Sequence, residues 1–113
     1  MKIAGFCSGH DAAYGILEDG VPKVHNELER FNRIKDTEGD SMEFLSDTYD
    51  ADDVDYYTHC IGSKREETYK KSFEKYKTLG KEWIQPGHHQ SHAANAFYSS
   101  DFKEALIVTI DGG

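Results

Sequence analysis

The sequence predicts an α/β domain with a mixed sheet, opening on three antiparallel strands and continuing as alternating helix and strand. Three observations carry this. The first 29 residues hold three short apolar or alternating runs separated by turn residues. Two later stretches carry apolar residues at helical spacing behind a capping residue. The chain then closes on a histidine-rich segment and an uninterrupted apolar run, Ala105–Ile110, that ends at Asp111-Gly112-Gly113.

Composition bounds the function. The chain has 113 residues, enough for one domain with a modest core. Hydrophobic residues make up 37%, with seven Tyr, six Phe and one Trp, so the chain is polar yet equipped to fold. A net charge of −8 argues against nucleic acid as a partner, because phosphate contacts need clustered Lys and Arg. No run approaches the ~18 apolar residues of a membrane span, and no apolar secretory region follows Met1-Lys2. Cys7 and Cys60 lack metal-ligand spacing and read as buried, reduced thiols of a cytoplasmic protein.

In chain order, Lys2–Cys7 reads as the first strand and Ser8-Gly9-His10-Asp11 as a polar turn. Ala12–Glu18 is the second strand and Asp19-Gly20 a hairpin signal, with Val21-Pro22 expected to lengthen the loop. Lys23–Glu29 alternates as the third strand, which puts Glu27 and Glu29 on one face. Arg30–Gly39 reads as a loop. Asp40 or Ser41 caps a helix carrying Met42, Phe44, Leu45 and Tyr49. Tyr56–Gly62 is a fourth strand. Lys64–Leu79 reads as a helix with a Tyr69/Phe73/Tyr76 packing stripe, closed by Gly80. Trp83-Ile84-Gln85 is a short extended piece before Pro86, a helix follows from about Gln90 to Tyr98, and Ala105–Ile110 is the last strand. This order is that of a ribonuclease-H-like lobe, the building block of the actin-like ATPase superfamily. Ligands of such sheets sit beyond the strand ends, where the Ser8–Asp11 turn and the Asp111 turn are expected to meet.

The histidines carry the chemistry. His88 and His92 are four apart and share one face of a helix, where two imidazoles can grip one divalent cation. Asp111, at a strand end, can add a carboxylate. His89 points about 100° away from His88 and serves a phosphate contact, a supporting hydrogen bond or packing. The donor set suits iron, zinc and manganese alike.

Four segments resemble the nodulation-type and antibiotic O-carbamoyltransferases. They are Ile3-Ala4-Gly5-Phe6 with Gly9-His10-Asp11-Ala12-Ala13; Glu27–Lys35, an acidic-Arg-Phe-x-Arg-x-Lys pattern; His88–Phe97, a double-His motif; and Thr109-Ile110-Asp111-Gly112. They run in the same order from residue 3 to residue 112. The resemblance implies an N-terminal lobe of an actin-like carbamoyltransferase domain, related to the tRNA threonylcarbamoyl transferase. It implies that ATP and carbamoyl phosphate give a carbamoyl-adenylate in a separate C-terminal domain, and that the carbamoyl group then passes to a hydroxyl of a sugar or natural product. The ligands of a divalent metal, Fe2+ favoured and Zn2+ or Mn2+ admissible, would be His88, His92 and Asp111. His10 would be the base that takes the hydroxyl proton, oriented by Asp11. His89, Gly112, Gly113, Arg30 and Lys35 would bind substrate or nucleotide, although the two basic residues also read as a solvated loop.

The pattern departs from the family in lacking the acidic extension after Asp111-Gly112, the second lobe and the adenylate-forming domain. The chain is therefore expected to be a fragment of a longer protein, inactive alone. Two other readings stay open. One is another actin-like enzyme, of kinase or metallohydrolase type; the other is a non-catalytic interaction domain with a structural histidine cluster.

Overall fold

The computed structural model describes residues 1–50, 53–59, 70, 74, 77 and 82–111. Strand β1 (Lys2–Cys7) is followed by β2 (Gly9–His10), β3 (Ala13–Glu18) and β4 (Val21–Glu27). Then come α1 (Leu28–Asn32), β5 (Glu38–Gly39), α2 (Ser41–Thr48), β6 (Tyr56–His59), β7 (Glu82–Ile84) and α3 (His88–Tyr98). Five strands form one mixed sheet in the order β4-β3-β1-β6-β7, and β2 pairs with β5 in a separate ribbon. β3 and β4 add antiparallel on one side of β1; β6 lies parallel to β1, and β7 parallel to β6, on the other.

The hairpin between β3 and β4 keeps a two-residue loop, Asp19 and Gly20, both at positive φ, the backbone a tight hairpin of this hand requires. Pro22 does not lengthen it. Ile16 pairs with Val24 and Leu17 with Pro22, so Lys23 is the extra residue of a bulge on an edge strand, where proline's lost N–H is tolerated. The third strand starts earlier than its alternation suggests and stops at Glu27, because α1 begins at Leu28. Arg33, left-handed at φ 62°, closes α1 and donates its backbone N–H to the Glu29 carbonyl.

Period-two alternation splits the sheet into two faces. Ala4 and Phe6 of β1, Tyr14 and Ile16 of β3, and Tyr57 of β6 turn to the buried face. There α2 lays Met42, Phe44 and Leu45 against them, with Val54 beside them. Asp40 caps α2, its carboxylate accepting from the backbone N–H groups of Met42 and Glu43. Phe6, Tyr57 and Trp83 stack across β1, β6 and β7, with centroid spacings of 5.7 Å and 4.9 Å. Cys7 falls on the opposite parity and is exposed, not a core thiol. Cys60, the end of the strand expected to reach Gly62, and the Tyr69/Phe73/Tyr76 stripe lie outside the described residues.

Helix α3 starts two residues before its expected onset, immediately after Pro86-Gly87, which brings both His88 and His92 onto it. Its His88, Ser91, His92 and Asn95 roof an open cleft of about 690 Å³ over the second sheet face, whose floor includes Gly5, Cys7, Gly15 and Thr58. Ala105–Ile110, expected as a strand, joins no ladder. A strand requires a partner's backbone groups, and the run pairs with neither edge strand, β4 or β7. Leu106, Val108 and Ile110 consequently stand 93%, 71% and 91% exposed. Among the described residues, no helix is long and apolar enough to cross a membrane.

Candidate metal centre

One helical turn on α3 sets the first two donors. His88 and His92 share a face, their rings near-perpendicular with centroids 4.6 Å apart. Their Nε2 atoms approach to 3.2 Å. The chain then returns after α3, and Asp111 brings its carboxylate against both. Its Oδ2 makes a short contact with His88 Nε2 and lies 3.7 Å from His92 Nε2. Residues 23 apart in sequence thus place three donor atoms within 4.8 Å of one another. The side chains of His88, His92 and Asp111 are 48%, 57% and 39% exposed, so a cation reaching them keeps solvent on its open side.

The spacing fits a metal. Two nitrogens bound at ~2.1 Å with an angle of about 90–110° stand roughly 3–3.4 Å apart, and the observed separation is 3.2 Å. Two imidazoles and one carboxylate on one side of an ion leave further positions open, a donor set that does not select among iron, zinc and manganese.

His89 turns away from this face. Its Nδ1 meets Thr109 Oγ1 at 2.9 Å, so that nitrogen makes a supporting hydrogen bond to a protein hydroxyl. Gly112 and Gly113 lie outside the described residues.

The second set of expected residues stands elsewhere. His10 Nδ1 and Asp11 Oδ2 are 2.7 Å apart, both exposed, and neither lines the cleft beneath α3. Their turn is anchored from below by Ser8. Its hydroxyl accepts from the Ser41 N–H at 3.1 Å, lies 2.7 Å from Ser41 Oγ and 3.4 Å from His59 Nε2. His59 is buried, and that burial pushes its imidazole from 6.5 down to about 4, with Asp40 opposing weakly, so it is neutral at pH 7. The hub joins the ends of β1 and β6 to the start of α2. The sequence offered no motif for it, because its members are a turn serine, a cap serine and a strand histidine.

Arg30 pairs with Glu27 at 3.2 Å and lies 3.9 Å from Glu29, on the surface, where it neutralises the acidic pair. Lys35 sits exposed in the loop after α1. Glu27 and Glu29 do not share a strand face, since β4 ends between them. Asp11, Glu29 and Asp36 bring carboxylates together, a grouping the sequence did not announce. Glu29 Oε2 there accepts the Asp36 backbone N–H at 3.0 Å and so shapes the loop.

Among known proteins, the chain is 32% identical over 114 residues to an uncharacterized protein of Methanocaldococcus jannaschii. The alignment takes in 98% of this chain and 22% of that protein, so the chain spans about a fifth of its relative's length. No family model matches the chain.

Proposed function

We propose that the chain is the N-terminal lobe of a metal-dependent O-carbamoyltransferase, one that passes the carbamoyl group of a carbamoyl-adenylate to a hydroxyl of a sugar or natural product. The observation that carries the reading is the convergence of His88 Nε2, His92 Nε2 and the Asp111 carboxylate at one point. The strand order β4-β3-β1-β6-β7, antiparallel on one side of β1 and parallel on the other, supports the ribonuclease-H-like, actin-like form of that lobe. The carbamoyl-adenylate would come from ATP and carbamoyl phosphate at a further domain, and a second lobe would complete the cleft.

His88, His92 and Asp111 would hold a divalent ion, which would supply Lewis acidity for the charge that develops on the carbamoyl oxygen. The chain's own residues do the rest. His10 stands outside the cleft beneath α3; with its Nδ1 donating to Asp11, its Nε2 would take the acceptor hydroxyl's proton where a second lobe brings the two sites together. Asp11 fixes that tautomer. The second reading, a structural histidine cluster without catalysis, draws on the direct contact between His88 and Asp111.

Elemental analysis of untagged chain loaded anaerobically with Fe2+, beside a His88→Ala/His92→Ala double variant, separates the two readings. About one metal per chain, lost in a variant that remains folded, is the expected result. A folded parent that holds no metal overturns the catalytic reading.

A further inference from the structure

His89 lies one residue from a proposed metal ligand yet takes no part in the cluster. The helix turns it about 100° from His88, and the two rings stand at 87° with centroids 5.7 Å apart. Its Nδ1 instead meets Thr109 Oγ1 at 2.9 Å. Thr109 precedes Asp111 by two residues, the spacing at which side chains of an extended segment leave on the same side. The segment that carries both belongs to no strand ladder, so its register is not set by sheet pairing. Two consecutive imidazoles at the start of α3 therefore reach two alternate residues of the 105–111 run: His89 to Thr109, and His88 to Asp111.

We propose that His89 is a positioning residue for the metal centre: by holding the Thr109 hydroxyl it fixes the height at which Asp111 delivers its carboxylate between His88 and His92. The proposal rests on the metal-centre reading for its functional meaning and on the His89–Thr109 geometry for its substance. Removal of a partner that orients a ligand costs metal affinity on the order of 10–100-fold. Because one bond does the work, either end of it is enough to break.

The test uses the full 113-residue chain and Co2+ as the probe, read by its visible absorption. His89→Ala and Thr109→Val are each expected to weaken Co2+ binding by about tenfold or more. The double variant is expected to be no weaker than either single, and Thr109→Ser, which keeps the hydroxyl, to bind as the parent does. Parent-like binding by both singles, or additive losses in the double variant, would overturn the proposal. Backbone amide resonances of the metal-free chain give a second readout that needs no ion. Both singles should displace the Asp111 resonance alike while Thr109→Ser leaves it in place. An Asp111 resonance indifferent to His89→Ala sinks the positioning role. If the parent fails to bind Co2+ while that displacement is seen, the metal reading falls and the His89 contact stands.

Discussion

His59 shows how burial alone sets the behaviour of a residue. Its imidazole is taken out of water at the end of β6, packed near Phe6 and set against Ser8, and Asp40 opposes the effect of burial. The sign of the pH effect follows. Above the ordinary value of 6.5, folded and unfolded chains both hold His59 neutral; between 6.5 and about 4, the unfolded chain binds a proton that the folded chain resists. Stability is therefore full above that window and falls as pH drops through it, by a total on the order of 3 kcal/mol, then levels off. Urea unfolding of the parent and His59→Gln at pH 7, 5 and 4 checks this, the difference between their slopes isolating His59. Parallel slopes would mean that His59 titrates as it does in water. The sequence marked His88 and His92 because helical spacing is local, and one turn suffices to bring them together. Nothing local marks His59 or Ser8, which meet only after β1 and β6 have paired. His89 was visible as a residue but not by its partner, which lies 20 positions on.

At the scale of elements, the parts with local signals were legible. The Asp19-Gly20 hairpin, the Asp40 cap and the alternation of β1 and β3 all appear where their residues put them. The strand-to-helix change at Leu28 was hidden because the alternation runs on to Glu29, while the tertiary setting bends the chain: the Leu28 N–H donates to the Ala12 carbonyl at 2.8 Å. Elements are also joined by a polar chain that sequence does not reveal. Asn26 Nδ2 donates to Tyr14 Oη at 2.6 Å, Tyr14 Oη lies 2.7 Å from Thr48 Oγ1, and Thr48 Oγ1 donates to the Phe44 carbonyl at 2.7 Å. Since the threonine proton is committed to Phe44, the phenol proton goes to Thr48, and β4, β3 and α2 are linked in one direction. Tyr14→Phe keeps the ring but strands Asn26 and Thr48, at an expected cost of about 1–2 kcal/mol in denaturant unfolding. Adding Thr48→Val should cost less than its effect alone, because the partner has already been lost. Additive losses would show that the three groups do not act as a chain.

The whole molecule is asymmetric about its sheet. One face is closed by α2 and the aromatic stack; the other carries the small residues Gly5 and Gly15, opposed in register, and among the described residues is roofed along the cleft beneath α3. The antiparallel run of β1, β3 and β4 followed from the order of patterns, since successive runs joined by tight turns pair with their neighbours. The fate of Ala105–Ile110 did not follow, because an apolar run specifies burial but not the surface that provides it. Six residues without charge or proline, with Leu106, Val108 and Ile110 exposed and their backbone outside any ladder, form a template for pairing with another strand. The chain in isolation is therefore expected to self-associate as its concentration rises. A lysine placed in the run acts against this in two ways, since burying its ammonium in a new interface is costly and like charges then face each other across it. Leu106→Lys, three residues before Thr109 and five before Asp111, is expected to leave the His89 and His88 contacts in place. Sedimentation velocity across a concentration series should show the parent's mass rising and the variant's staying at that of one chain. A parent that stays monomeric at every concentration would show that the exposed run does not act as a pairing template.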